Sequence, residues 1–203
     1  MSGMWGNKLK VSIFGESHGA GIGITIDGLP SGIEIDMEEV LKEMARRAPG
    51  KSKLSTARKE GDQPEILSGF FEGKTTGTPL CAVIRNSDQH SKDYGKLKDL
   101  MRPGHADYPG FIRYNGFNDY RGGGHFSGRI TAPLVFAGAV CKQILNIKGV
   151  NVGAHVKSIG TIYDKSFDEV ELTKELLDNL KINELPLLCS EKEEMMRNAR
   201  SEE

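Results

Sequence analysis

RGGGHFSGRITAPLVFAGAVCKQILN, residues 121–146, is the stretch on which the fold turns. It passes from a run of glycines straight into an almost wholly apolar segment. The spacing predicts a helix that starts at Thr131, a natural N-cap, with Pro133 in the first turn, where a missing N–H breaks no bond. A helix apolar on nearly every side is expected to be buried. Ahead of it, three glycines let the backbone approach a ligand closely. The helix N-terminus offers unpaired N–H groups and partial positive charge to an anion. Arg121 and Arg129 bracket this loop.

Working outward, residues 9–14 and 22–27 are β-branched and alternate, so they read as two strands joined by the GESHGAG turn. Met37 to Arg47 has apolar residues at helical spacing, with Asp36 as N-cap and Pro49-Gly50 just past its end. That helix delivers Arg46 and Arg47 to the polar, basic run 48–62, which is expected to lie outside the core. Residues 65–71 and 80–85 read as antiparallel strands. Val152 to Ile162 alternates like a strand, Asp168 to Leu180 is an amphipathic helix, and a charged helix pattern follows Pro186. This last helix reaches Glu203 without a stop signal, from which a continuation of the chain is expected.

The whole composition narrows the function. The 203 residues carry a net charge of −1, which argues against a general binder of nucleic acid or of membrane surfaces. The three cysteines share no CxxC spacing and do not suit a disulfide framework. The N-terminus has no signal-like apolar region, and no run of about 18 apolar residues occurs. A soluble protein of the reducing cytoplasm is therefore expected.

Several glycine-rich near misses can be set aside. GFFEGKT, residues 69–75, has three residues between its glycines where a phosphate loop needs four, and GAGIG, residues 19–23, lacks dinucleotide-fingerprint spacing. The five histidines show no metal-ligand pairing. Ser17 and His18 are adjacent and, in an extended segment, would point to opposite faces, so His18 is read as a lone acid or base. In RPGHADY, residues 102–108, a fixed guanidinium stands beside a titratable imidazole, which suits an anionic substrate that must accept a proton. GESHG, ARRAPGKS, RPGHADY and GGGHFSGR each combine small residues with His, Arg or Lys. This repetition favours a polyanionic ligand.

These motifs together resemble the chorismate synthase family. The matching stretches, in order, are FGESHG (14–19), IDGLPSGI (26–33), RRAPGKS (46–52), ILSGFFEGKTTGTP (66–79), SKDY (91–94), RPGHADY (102–108) and DYRGGGHFSGR (119–129). The resemblance implies an α+β fold in which antiparallel sheets sandwich buried helices, with residues 1–203 as the N-terminal portion of a single domain of a homotetramer. It implies a lyase that converts 5-enolpyruvylshikimate 3-phosphate to chorismate and phosphate with reduced FMN, the flavin being reduced either by NADPH on the protein itself or by an outside reductase. Carried onto this chain, it places His18 near the leaving phosphate and His105 at the flavin edge. Ser17, Arg47, Arg102, Gly128 and Arg129 fall around the substrate, while His125, Phe126, Ser127, Arg47 and Lys53 fall at cofactor positions. The chain departs from the usual pattern at Ala48, Lys53, His125, Phe126 and Gly128, and family members run close to twice its length. Rival readings are a non-catalytic fragment that keeps an anion- or flavin-binding surface, and a kinase built on GFFEGKT.

Overall fold

A computed structural model describes residues 3–48, 61–86 and 100–201. These cluster into two compact units, residues 3–48, 61–86 and 100–143 in the first and residues 144–201 in the second.

The first unit is built on an antiparallel sheet. Its strands are β1 (Met4–Trp5), β2 (Lys10–Gly15), β3 (Gly21–Asp27), β4 (Pro64–Ser68) and β7 (Leu80–Arg85), in the order β1-β2-β3-β7-β4. Alternation fixes its buried face. Ile22, Ile24 and Ile26 of β3 stand opposite Ile84, Ala82 and Leu80 of β7, and all six are buried. Such cross-strand apolar pairs are the unit of sheet stability. On the other face Phe14 lies across Gly23, where an added Cβ would come 2.4 Å from the ring. Between β4 and β7, β5 (Phe70–Phe71) and β6 (Lys74–Thr75) form a hairpin whose turn residues Glu72 and Gly73 both have positive φ. GFFEGKT is therefore a β-turn and not a phosphate loop.

Helix α1 (Met37–Arg47) begins as its sequence predicts, with the Asp36 carboxylate accepting from the backbone of Glu38 at 2.8 Å and Glu39 at 3.3 Å. Its acidic first turn and basic last turn complement the helix dipole. Val40 and Met44 are its buried residues. A short helix α2 (Asp107–Arg113) starts inside RPGHADY.

Helix α3 (Thr131–Ile147) starts where expected but is capped differently. A 3-10 turn at Gly128–Ile130 precedes it, capped by Ser127, whose hydroxyl accepts from the Arg129 N–H at 3.3 Å. Thr131 donates its hydroxyl to the Gly128 carbonyl at 2.6 Å. Ala132, Pro133, Phe136, Ala137, Ala139 and Val140 are buried, whereas Gly138 and Ile147 are exposed, so burial is one-sided. The apolar stretch Arg121–Ile147 is long enough by composition to cross a membrane, but α3 itself has 17 residues, short of the roughly 20 that a span needs. Gln143 ties α3 to α1 by accepting from the Asp36 N–H at 2.8 Å and donating to the Asp36 carbonyl at 2.9 Å.

In the second unit the strand expected over residues 152–162 reduces to a hairpin of β8 (Ser158–Ile159) and β9 (Ile162–Tyr163). Residues 152–157 pair with no described strand, although the Val156 N–H donates to the Pro186 carbonyl at 2.8 Å. The expected amphipathic helix is α4 (Lys174–Ile182), capped by Thr173, and the charged pattern after Pro186 becomes α5 (Glu193–Ser201). The Asp164 side chain is fully buried beside His155 and accepts the N–H groups of Leu188 at 2.6 Å and Cys189 at 2.9 Å.

Candidate active site

The glycine-rich loop is shaped by three successive left-handed residues, Gly122, Gly123 and Gly124. Gly122 presses on the GESHG turn, since an added Cβ would lie 2.2 Å from His18 Cε1 and 3.1 Å from Ser17 Oγ. The Ser17 N–H donates to the Gly124 carbonyl at 3.1 Å, so turn and loop are joined by backbone as well. Ser17 and His18 are both buried. Their side chains approach the same point, contrary to the opposite faces expected of an extended segment. Residues 17–18 form a turn, where the strand period of two does not apply.

Two arginine–aspartate forks stiffen the neighbourhood. Asp107 accepts from Arg102 at its backbone N–H, Nε and Nη2, at 3.0, 2.9 and 3.0 Å. Asp119 accepts from the same three groups of Arg121 at 3.0, 2.9 and 2.7 Å. Hydrogen bonds from each arginine hold the partner carboxyl below the usual carboxylate range. Each fork pins a planar cation.

Arg102, His105, Asp107, Gly123, Ser127 and Gly128 line a cavity of about 180 Å³. His105 is exposed, and its Nδ1 donates to the Pro103 carbonyl at 3.3 Å, leaving Nε2 the acceptor of the neutral ring. Phe126 is shared with a second cavity of about 460 Å³, walled by Ile13, Phe14, Glu16, Tyr114, Phe117 and His125. His125 donates from Nδ1 to the Gly15 carbonyl at 2.9 Å.

Arg47 and Arg129 sit apart from these walls, on a shared carboxylate. Arg47 Nη1 donates to Asp62 Oδ2 at 2.7 Å, and Arg129 Nη1 donates to Asp62 Oδ1. Arg47 also reaches the Gly128 carbonyl at 3.3 Å and the Thr131 hydroxyl at 3.4 Å, so it braces the start of α3. The Asp62 side chain is 1% exposed and that of Arg129 4%, against 19% for Arg47. The reading of residues 48–62 as an excursion away from the core therefore fails at its last residue. Burial there is decided by partners 15 and 67 residues away in sequence. Asp62 went unread for that reason, and the same holds for Asn86, whose amide meets both Arg129 and the GESHG turn. Lys53 lies outside the described residues, as does SKDY.

An α+β scaffold thus presents pinned guanidiniums, three imidazoles and a loop of left-handed glycines around small cavities, a combination able to hold an anion and to move a proton. The chain belongs to the chorismate synthase family, whose profile matches residues 9–202. It is 47% identical over 169 residues to a chorismate synthase of Methanococcoides burtonii, covering 82% of this chain and 46% of the relative. It is 50% identical over 159 residues to one of Thermococcus kodakarensis, covering 78% and 44%. A crystal structure of chorismate synthase superimposes with a TM-score of 0.67 at 31% identity, covering 97% of this chain and 53% of that one. The chain spans about half the length of the curated relatives it matches.

Proposed function

We propose that the protein carrying this chain is a chorismate synthase, eliminating phosphate from 5-enolpyruvylshikimate 3-phosphate in the 1,4-anti sense to give chorismate, with reduced FMN bound. The observation that carries this reading is the meeting of Arg102, His105, Ser127 and Gly128 on one small cavity, with His18 directly behind Gly122. A substrate with two carboxylates and a phosphate needs fixed cations, and a departing phosphate needs a proton donor. Arg102, oriented by its fork with Asp107, binds an anionic group of the substrate with Ser17 and Gly128 beside it, while Arg47 and Arg129, tied to Asp62, act from behind the turn that carries Gly128. His18 gives the proton to the leaving phosphate. His105 holds or releases a proton at the opposite edge.

The larger cavity suits a flavin. Its volume of about 460 Å³ lies within the range of roughly 300–1,000 Å³ usual for ligand sites, and Phe14, Tyr114, Phe117 and Phe126 give it aromatic surface beside the carboxylates of Glu16 and Asp119. Phe126 and His125 would hold the ring system, with Ser127 reaching it from the adjoining smaller cavity. With Nδ1 committed to Gly15, neutral His125 offers Nε2 as an acceptor for a ligand N–H. Bound reduced flavin supplies the electron density that loosens an allylic phosphate. Assembly as a homotetramer belongs to this reading, with exposed Phe111 and Ile112 as apolar surface for another copy, and so does a cytoplasmic setting, with Cys81, Cys141 and Cys189 as free thiols.

The test is anaerobic turnover with dithionite-reduced FMN, followed by chorismate absorbance in the protein that carries this chain. His18→Ala and His105→Ala are each expected to slow turnover by about 100-fold or more while FMN and substrate still bind. Unchanged turnover in both refutes the assignment. NADPH oxidation with FMN present decides whether the protein reduces its own flavin or depends on an outside reductase.

A further inference from the structure

Asn86 follows directly on β7, and its side-chain amide touches three places at once. Nδ2 donates to the carbonyls of Glu16 at 3.0 Å and Gly19 at 2.9 Å, and Oδ1 accepts from Arg129 Nε at 3.1 Å. Its backbone N–H donates to the Ala20 carbonyl at 3.3 Å. The amide orientation follows from chemistry, because carbonyls only accept and a guanidinium only donates. Glu16 and Gly19 are the two ends of the turn that carries Ser17 and His18, itself closed by the Gly19 N–H donating to the Glu16 carbonyl at 3.0 Å. On its far side Arg129 is held by buried Asp62, which also holds Arg47.

We infer that Asn86 is a positioning residue for His18: its amide clamps both ends of the 16–19 turn and references that turn to the buried Arg129–Asp62 pair. The inference rests on His18 acting on the leaving group. No other common side chain of this size meets the requirement. Aspartate keeps the acceptor for Arg129 but turns a carboxylate oxygen toward two carbonyls, and leucine has neither donor nor acceptor. Gly122 lies against the imidazole itself, so His18 is set both by a loop backbone and by a turn that Asn86 holds shut.

The test compares Asn86→Asp and Asn86→Ser with Gln143→Leu in the protein that carries this chain. Gln143→Leu also removes two hydrogen bonds from a side-chain amide to backbone, but at Asp36, away from the turn. The readouts are the thermal midpoint, the His18 imidazole ¹⁵N resonances assigned by their loss in His18→Asn, and the separation of kcat from KM. Both Asn86 variants are expected to shift the His18 resonances and to lower kcat by about 10- to 100-fold with KM for substrate changed by less than about threefold. Gln143→Leu should lower the thermal midpoint and leave the His18 resonances in place. If Asn86→Asp does not fold, Asn86→Ser, which adds no charge, carries the comparison. Unmoved His18 resonances in the folded Asn86 variants, or an equal shift in Gln143→Leu, overturn the inference. If the resonances move while His18→Ala leaves turnover intact, the positioning stands and the proposed role of His18 falls.

Discussion

Gly122→Ala is the most direct probe of how loop and turn fit together. At φ 57° and ψ 23° an L-residue here occupies the left-handed region, at a cost of about 1–2 kcal/mol. The new methyl would lie 2.2 Å from His18 Cε1 and 2.4 Å from Nδ1. Ordinary carbon contact begins near 3.5 Å, so the imidazole must retreat by about 1.3 Å. His18 is only 5% exposed, and Ser17 beside it 1%, so the retreat has to displace packed neighbours. Overpacking of this kind adds about 1–3 kcal/mol, giving a total loss of about 2–5 kcal/mol. Urea unfolding of parent and variant should show it as a lower midpoint at unchanged slope. Turnover should fall by about 100-fold, as a displacement of about 1 Å at a reacting group commonly does. Gly128→Ala is the control, since nothing lies within 4 Å of its added Cβ, and its stability should change by no more than about 0.5 kcal/mol. A loss below about 1 kcal/mol for Gly122→Ala, with turnover unchanged, would refute the idea that this loop sets the position of His18.

Two further outcomes follow from the charged pairs. Asp62→Asn removes the carboxylate between two guanidiniums, one of them buried, and should destabilise by about 3–5 kcal/mol in urea titration; a loss under about 1 kcal/mol would show that the pair is not enclosed. Asp107 has a folded-state pKa depressed by Arg102, so its contribution to stability is full above the unfolded value near 4 and is lost as pH falls through the lower folded value. Urea midpoints measured from pH 7 down to pH 3 should therefore fall less steeply below about pH 4 in Asp107→Asn than in the parent, and equal slopes would count against the Arg102 fork.

What the sequence disclosed and what it hid divide along a physical line. Elements governed by near neighbours were legible. Asp36 caps α1 two and three residues ahead, β2 and β3 alternate along their own length, and GFFEGKT has the wrong spacing whatever surrounds it. The combination of small residues with His and Arg in the 102–108 and 121–129 motifs is also local, and residues of both motifs meet on the smaller cavity. Features set by distant partners were not legible. Asp62 stands in a polar run and looks exposed until Arg47 and Arg129 close over it. Asn86 carries no motif, and its meaning lies in carbonyls about 70 residues earlier. Residues 152–157 alternate without a neighbouring described strand to pair with, and a strand pattern without a partner does not become a sheet. Thr131 yielded the cap to Ser127 because the 3-10 turn at Gly128–Ile130 moved the start of the helical run upstream.

The carboxylate shared by Arg47 and Arg129 also dictates the order in which this corner can drift over generations. A lineage that replaces Arg47 first leaves behind Asp62 and Arg129, one negative and one positive charge, enclosed and matched. A lineage that replaces Asp62 first sets two guanidiniums against each other with nothing between them, and its descendants carry that penalty until a second change arrives. The two routes reach the same sequence through intermediates of very different fitness. Among homologues, loss of the acid at 62 should therefore be found where position 129 has already given up its charge.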